Sequence, residues 1–168
     1  LRLAPPRISD APALLKVLQA EEMLKARVGN EVPIIGVVMS PFSLPVMQMG
    51  FDRYIELIYE RADLFERLMR INEEFCVAWA NAQLRAGATA ITYYDPVSSS
   101  TIVSRKMYLR TGFPIASRTI PRIEGPTATH MASGVCRPII DAIAATGTRI
   151  IGVSVDEDMA ELKKASGG

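Results

Sequence analysis

The sequence predicts an α/β fold in which four parallel strands alternate with helices. Four short runs of apolar and β-branched residues recur along the chain, and each is followed by a loop and then by a segment with helical periodicity. The connections between the runs are long enough for the crossovers that parallel strands require. With 49% hydrophobic positions in 168 residues, the apolar material suffices for one core. We therefore expect a single α/β domain over residues 1–168.

Residues 1–30 are predicted to be an extended segment and a helix that precede the strand-helix units of residues 31–168. The proline-bearing stretch Leu1–Arg7 is expected to be extended, and Ser9 is expected to cap a helix that ends at Gly29. The first strand is predicted at Val32–Val38. It is apolar on both faces, as expected of a strand that is covered by helices on both sides.

A loop is predicted from Met39 to Gly50, where Phe42, Met47 and Met49 follow the first strand. These side chains either line an apolar ligand pocket or plug the end of the core. Two helical segments come next, at Tyr54–Ile58 and from the expected cap Asp63 to Gly87.

The second strand, Ala88–Tyr94, stops abruptly at Asp95 and a loop that contains Ser98 and Ser99. In α/β proteins the ligand site lies outside the carboxyl ends of the strands, so Asp95 stands where chemistry is usually done. The alternative interpretation is that Asp95 only caps the next turn. The next predicted segment is helical, has Ser104 as its cap and reaches at least Ile120, with Pro114 either as a kink or as the first position of a continuing helix. The remaining elements are predicted in this order: a strand at Thr127–Met131, a helix at Pro138–Ala145, a strand at Arg149–Val155, and a helix at Glu157–Ala165 led by Asp156.

Three polar side chains, Asp95, His130 and Asp156, follow the second, third and fourth strands and should face the same end of the sheet. His130 is the only histidine, and it can act as a base, a hydrogen-bond donor or a metal ligand, or it can pack within the core. Cys136 is a candidate second ligand if the turn at Gly134 brings it back over the strand end. As a residue of the first helical turn, it would instead pack.

Composition and motifs exclude several classes of function. The chain has no P-loop, no Gly-x-Gly-x-x-Gly, no Gly-x-Ser-x-Gly and no Cys-x-x-Cys motif. A net charge of +1 without basic runs gives no sign of a nucleic-acid or anionic-membrane partner. The longest uncharged stretch is broken by prolines and glycines, so no transmembrane segment is predicted. Two cysteines form no disulfide framework, which favours a reduced, cytoplasmic protein.

Four strand-helix units are half of a (β/α)₈ barrel, which needs about 250 residues. Periodicity alone leaves two architectures open, an open doubly wound sheet and part of a barrel. The chain also begins at Leu1 without methionine, so we expect a piece of something longer.

Several loop sequences together resemble the uroporphyrinogen decarboxylase superfamily, which includes the methylcobamide:coenzyme M methyltransferases. Ser40–Leu44 resembles the family's Gly-Pro-Phe-Thr-Leu loop. Tyr94–Ser99 is similar to the methyltransferase branch's Asp-Pro-x-Ala-Ser loop. His130–Gly134 occupies the place of that branch's His-x-Cys-x-Gly motif. The resemblance runs from Val32 to the end and implies a (β/α)₈ TIM barrel of which this chain holds about half.

The same resemblance implies functions for the strand-end residues. In the methyltransferase branch, zinc bound by the His-x-Cys pair and a distant cysteine lowers the pKa of a thiol that attacks a cobalt-bound methyl group. Here Ala132 stands in place of the first cysteine, so zinc would need His130 together with Cys136. Asp95 and His130 are the candidate catalytic residues. The candidate substrate- or cofactor-binding residues are Phe42, Ser43, Met47, Tyr94, Ser98, Ser99 and Asp156.

The leading hypothesis is a corrinoid-linked methyltransferase that moves a methyl group between a corrinoid and a thiol or related acceptor. The first alternative is a uroporphyrinogen decarboxylase, which acts on a tetrapyrrole and needs no cofactor. A second alternative, favoured by Ala132, is a non-catalytic module that binds a corrinoid or a corrinoid protein. Open strand edges of a half barrel would need cover from further chain or from another subunit, which makes a homo-oligomer an expectation as well.

Overall fold

The fold was analysed in a computed structural model that describes residues 4–167. Four parallel strands form one sheet in the order β1-β2-β3-β4, with β1 at Ile35–Met39, β2 at Ala90–Tyr94, β3 at Thr127–His130 and β4 at Ile150–Gly152. The predicted fold class is confirmed. Each strand is shorter than the sequence predicted, because only part of each apolar run pairs with a neighbour, and β1 ends one residue later than predicted, at Met39.

Helices alternate with these strands along the chain. The α-helices are α1 Pro12–Val28, α2 Leu44–Met49, α3 Phe51–Glu60, α4 Ala62–Ala86, α5 Arg105–Arg110, α6 Gly112–Thr119, α7 Ile140–Ala144 and α8 Met159–Ser166. Short 3₁₀ turns lie at Ile8–Asp10, Pro96–Ser98, Ile120–Arg122 and Arg137–Ile139. No helix within residues 4–167 is both long and apolar enough to cross a membrane.

Several helix ends differ from the predictions. Ser9 lies in a 3₁₀ turn and does not cap α1, which begins at Pro12 because proline is favoured in a first helical turn. Asp63 is not the cap of α4, because its carboxylate pairs with Arg61. Ser104 is the cap of α5, as predicted, and accepts a hydrogen bond from the Met107 N–H. The predicted extended segment Leu1–Arg7 falls partly outside the described residues, and residues 4–7 form neither helix nor strand.

Two further predictions for element positions were wrong. The stretch Met39–Gly50 is not a continuous loop, because α2 forms within it with Pro45 in its first turn. The last helix is led by Asp158 rather than Asp156: the Asp158 carboxylate accepts hydrogen bonds from the N–H groups of Ala160 and Glu161.

The two faces of the sheet have different surroundings. One face packs against α4 and α6 through buried side chains that include Val38, Ile91 and Tyr93. The opposite face carries Ile35, Val37 and Ile150, whose exposed fractions are 51%, 54% and 60%. The expectation that β1 is covered on both sides is therefore wrong for this chain, since helices cover only one face. We call the uncovered side the inner face.

A glutamine side chain occupies the free edge of β1. The carbonyl of Ile34 accepts from the N–H of Thr89, just before β2, and the N–H of Ser40 donates to the carbonyl of Tyr94, so the odd-numbered residue Val37 directs its backbone groups away from β2. Gln83 of α4 donates to the Val37 carbonyl at 3.1 Å and accepts from the Val37 N–H at 3.0 Å. Its amide thus takes the hydrogen-bonding position that a further strand would take.

Candidate functional site at the carboxyl ends of the strands

One row of side-chain positions crosses all four strands at their carboxyl ends. Met39 is the register partner of Tyr94, Tyr94 of His130, and His130 of Gly152. Register partners in a parallel sheet point to the same face, and these four point to the inner face. We call this row the mouth row; it contains two of the residues selected from the sequence, Tyr94 and His130.

The imidazole of His130 is held on three sides. Its ring stacks on Tyr94 with 5.6 Å between the ring centroids and 13° between their planes. Its Nδ1 accepts a hydrogen bond of 2.9 Å from the backbone N–H of Ala132, which has a left-handed φ of 56°. On the other side, a Cβ added at Gly152 would overlap the His130 ring, so the glycine leaves the space that the ring occupies.

Asp95 lies one residue beyond Tyr94 and is only 2% exposed. Three serine hydroxyls donate to its carboxylate: Ser40 at 2.5 Å and Ser43 at 2.6 Å to Oδ1, and Ser98 at 2.6 Å to Oδ2. Burial raises the pKa of Asp95, and the three hydroxyls offset part of that rise. The carboxylate therefore joins the loop after β1 to the loop after β2.

Serine hydroxyls around Asp95 also satisfy backbone groups of the loops. Ser43 Oγ accepts from the Val97 N–H at 3.1 Å, and Ser99 Oγ accepts from the Val135 N–H at 3.0 Å. A Cβ at Gly134 would lie 2.6 Å from the Ser99 Cβ, so only glycine allows the loop after β3 to approach that closely. The fold thus brings Ser43, Ser98 and Ser99 together near Asp95, where they are buried and their hydrogen bonds connect the loops.

The apolar residues after β1 are separated from one another. Phe42 is completely buried and makes edge-to-face contacts with Tyr54 and Phe65, at 6.0 and 6.2 Å between ring centroids. Met47 lies on α2 and is 73% exposed, while Met49 packs against the core. The interpretation of this loop as a core plug therefore holds for Phe42 and Met49, and the three side chains form no common wall.

Cys136 is paired with an acidic residue that sequence reasoning missed. Its thiol donates to Glu157 Oε2 at 3.1 Å, and the N–H groups of Cys136 and Arg137 also donate to the Glu157 carboxylate. Burial, together with the Glu157 carboxylate, raises the pKa of the Cys136 thiol to about 12. Partial burial acts to raise the pKa of Glu157, but the hydrogen bonds that its carboxylate accepts, from the N–H groups of Cys136 and Arg137 and from the Cys136 thiol among others, together lower that pKa. Asp156, next in the chain, is exposed beyond the end of β4.

The residues present do not fit a zinc ion. Zinc in proteins takes deprotonated thiolates and histidine nitrogens with a free lone pair. The Cys136 thiol donates to Glu157, and the Nδ1 lone pair of His130 accepts from the N–H of Ala132. Within residues 4–167, no three side chains of His, Cys, Asp or Glu are grouped so as to hold a metal. The tentative zinc set of His130 and Cys136 is therefore not assembled.

Three contributors to this region were not selected from the sequence. Ser40 lies within the Ser40–Leu44 motif, so its hydroxyl could have been included with that of Ser43. A glycine inside a strand indicates close approach of another group, and this signal was available for Gly152. Nothing in the sequence distinguishes Glu157 from other helix-flanking acids, because its role depends on the position of the Cys136 turn.

Comparison with known proteins places the chain in a family. The family model described as uroporphyrinogen decarboxylase matches residues 2–167. The methylcobamide:CoM methyltransferase MtaA of Methanosarcina barkeri is 30% identical over 154 residues, which cover 90% of this chain and 44% of that protein. The uroporphyrinogen decarboxylase of Cellvibrio japonicus is 26% identical over 162 residues, covering 90% of this chain and 45% of that protein.

A solved structure shows the same fold. A methyltransferase from Methanosarcina mazei superposes with a TM-score of 0.82 at 24% sequence identity, and the match covers 98% of this chain and 51% of the other. The chain thus spans about half the length of the curated relatives it matches, and its four strands correspond to about half of a TIM barrel. The chain belongs to the uroporphyrinogen decarboxylase family.

Proposed function

We propose that the full-length protein carrying this chain transfers a methyl group between a corrinoid and a thiol or related acceptor, in the cytoplasm and with a corrinoid protein as a possible methyl carrier. The observation that carries the proposal is the 30% identity to a methylcobamide:CoM methyltransferase over nine tenths of the chain. The Asp95-Pro96 loop with Ser98 and Ser99, which is similar to the loop of that branch, supports the same choice.

In this proposal the mouth row contacts the substrates. The stacked rings of Tyr94 and His130 lie at the inner face of the sheet, where they offer aromatic carbon together with a polar ring edge. A methylated corrinoid supplies an electrophilic methyl carbon. The cobalt–carbon bond breaks with its electron pair left on cobalt, while a new bond forms from carbon to the acceptor sulfur. The thiol proton goes to solvent before the transfer.

Asp95 acts in this account as a positioning residue. Its carboxylate fixes the loops after β1 and β2 through three short hydrogen bonds, and Tyr94 is its direct neighbour in the chain. A direct contact between Asp95 and a substrate remains a prediction. Such a contact would require at least one serine hydroxyl to give up its hydrogen bond, because the carboxylate is enclosed.

The second candidate is decarboxylation of a tetrapyrrole, which the Cellvibrio japonicus relative favours. In this reaction an aspartate would polarise pyrrole N–H groups and assist loss of a carboxyl group as carbon dioxide. The burial of Asp95 and its three serine partners weigh against this assignment, because pyrrole N–H groups would have to reach an enclosed carboxylate that already accepts three hydrogen bonds.

The two candidates are separated by parallel assays of the full-length protein. One assay supplies methylcobalamin and 2-mercaptoethanesulfonate, and follows loss of the cobalt-bound methyl group by absorbance and the methyl thioether by mass spectrometry. The other supplies uroporphyrinogen under reducing conditions and follows its decarboxylated products by chromatography. We expect thioether and no decarboxylation. Decarboxylation without thioether would contradict the proposal, as would corrinoid binding with neither product.

A further inference from the structure

The single hydrogen bond on the His130 ring identifies which ring nitrogen carries the proton. A backbone N–H can only donate, so Nδ1 must accept the 2.9 Å hydrogen bond from Ala132 with its lone pair. A neutral ring in this position therefore carries its proton on Nε2. Within residues 4–167 nothing accepts a hydrogen bond from Nε2, and the ring is half-buried at the mouth row.

The imidazole plane is restricted from both sides. Tyr94 covers one face of the imidazole, and the ring atoms Cδ2, Cγ and Nε2 fill the space that a Cβ at Gly152 would need. The left-handed backbone of Ala132, an unusual conformation for a residue with a Cβ, directs its N–H back toward Nδ1. Tyr94 and Gly152 thus limit the plane of the ring, and the hydrogen bond from Ala132 selects which edge of the ring faces it and, with that, the tautomer.

We propose that His130 is a hydrogen-bond donor of fixed tautomer, which uses Nε2–H to bind an anionic group of the substrate and does not bind zinc. The anionic group is a thiolate, a carboxylate or a sulfonate, since negatively charged acceptors form stronger hydrogen bonds than neutral ones. Only the identity of the molecule that carries this group rests on the proposed function. A ligating nitrogen needs a free lone pair, and neither nitrogen has one in this orientation.

Gly152 is the positioning residue of this arrangement. A methyl group at this position would occupy the space of the ring, so Gly152→Ala should displace His130 from Tyr94. If Gly152 acts only through His130, Gly152→Ala should have no additional effect on substrate binding in a His130→Ala background. Separate effects that add in the double variant would contradict this coupling.

The tautomer and the metal content can be measured without turnover. Full-length protein labelled with ¹⁵N on histidine is compared with its His130→Gln variant, and the signal missing from the variant is that of His130. We expect the Nε2–H tautomer, and we expect the same zinc content in wild type and in His130→Ala after dialysis against zinc. An Nδ1–H tautomer, or stoichiometric zinc lost in His130→Ala, would overturn the inference whether or not methyl transfer is detected.

Two substitutions of His130 test whether Nε2–H is the hydrogen-bond donor to the substrate. Glutamine places an N–H group near Nε2, whereas asparagine places one near Nδ1. Binding of the anionic probe 2-mercaptoethanesulfonate, measured by calorimetry, should be retained within about threefold in His130→Gln and weakened about tenfold or more in His130→Asn. Equal loss in both variants would contradict donation through Nε2. Binding with this pattern but without methyl transfer would leave the inference standing and refute the proposed function alone.

Discussion

The buried carboxylate of Asp95 holds two loops of the carboxyl-end surface together. Removing one charged oxygen from a site with three hydroxyl donors leaves a buried hydrogen-bond network incomplete. We predict that Asp95→Asn lowers the free energy of unfolding of the full-length protein by about 2–4 kcal/mol, as measured by urea denaturation. The control variant Asp52→Asn, at an exposed position of α3, should change it by less than about 0.5 kcal/mol. Equal stability of the two variants would show that the Asp95 carboxylate does not tie the loops.

Glu21 of α1 makes stability depend on pH. It is 7% exposed, its Oε2 has no hydrogen-bond partner among the described residues, and burial raises the pKa of its carboxyl to about 7. Because the pKa of Glu21 is higher in the folded protein than in the unfolded chain, its contribution to folding stability is fully present below the unfolded pKa, near 4.5. That contribution is lost as the pH rises through 7.

We therefore predict that Glu21→Gln stabilises the protein at pH 8, by at most about 3 kcal/mol, and has little effect at pH 5. Thermal unfolding at both pH values measures the difference. Glu22→Gln, on the exposed side of the same helix, serves as the control. The same stabilisation at both pH values would contradict a buried, titrating Glu21.

For single residues, the sequence predicted the position along the chain but not the direction in which the side chain points. Asp95 and His130 could be placed at strand ends because apolar runs stop there. Side chains alternate along a strand, so Tyr94 faces the inner side while Asp95 is enclosed between loops. Predicting this alternation requires the strand boundary to within one residue, which sequence periodicity does not provide. The partners of Asp95 come from three separate positions in the chain, and their convergence is a tertiary property.

The pairing of Gln83 with β1 gives a prediction about the sheet edge. Gln83 is 2% exposed, and both polar atoms of its amide bond to Val37. We predict that Gln83→Leu destabilises the 168-residue chain, in which no further strand among residues 4–167 pairs with this edge, by about 2–3 kcal/mol in urea denaturation, because it leaves two backbone groups unpaired. Gln19→Leu, exposed on α1, is the matched control. A cost no larger than that of the control would indicate that another strand pairs with Val37.

The order of strands and helices followed from the sequence, because apolar runs and helical periods alternate strongly. The short helix α2 did not, since the prolines and glycines of residues 39–50 are equally typical of loops, and Pro45 is compatible with a helix only in the first turn. The cap of α8 was also misplaced: Asp156 and Asp158 are both acids near the helix start, and the backbone conformation decides between them.

The uncovered inner face follows from the size of the chain relative to its family. Four strands account for about half of the barrel of a protein that this chain superposes on with a TM-score of 0.82. Apolar side chains such as Val37 and Ile150 are exposed on that face, which in a complete barrel is filled by side chains from all strands. We propose that the remaining strands of the full-length protein supply this cover.

The most direct measurement of the proposed function is the rate of methyl transfer from methylcobalamin to 2-mercaptoethanesulfonate in two tyrosine variants of the full-length protein. Tyr94→Leu removes the ring that stacks on His130 at the mouth row. Tyr59→Leu removes a 67% exposed ring from the outer helix α3. We predict that kcat/KM falls about tenfold or more in Tyr94→Leu, equivalent to about 1.4 kcal/mol, and is unchanged in Tyr59→Leu. Equal rates in both variants, or no methyl transfer by the wild-type protein, would contradict the account.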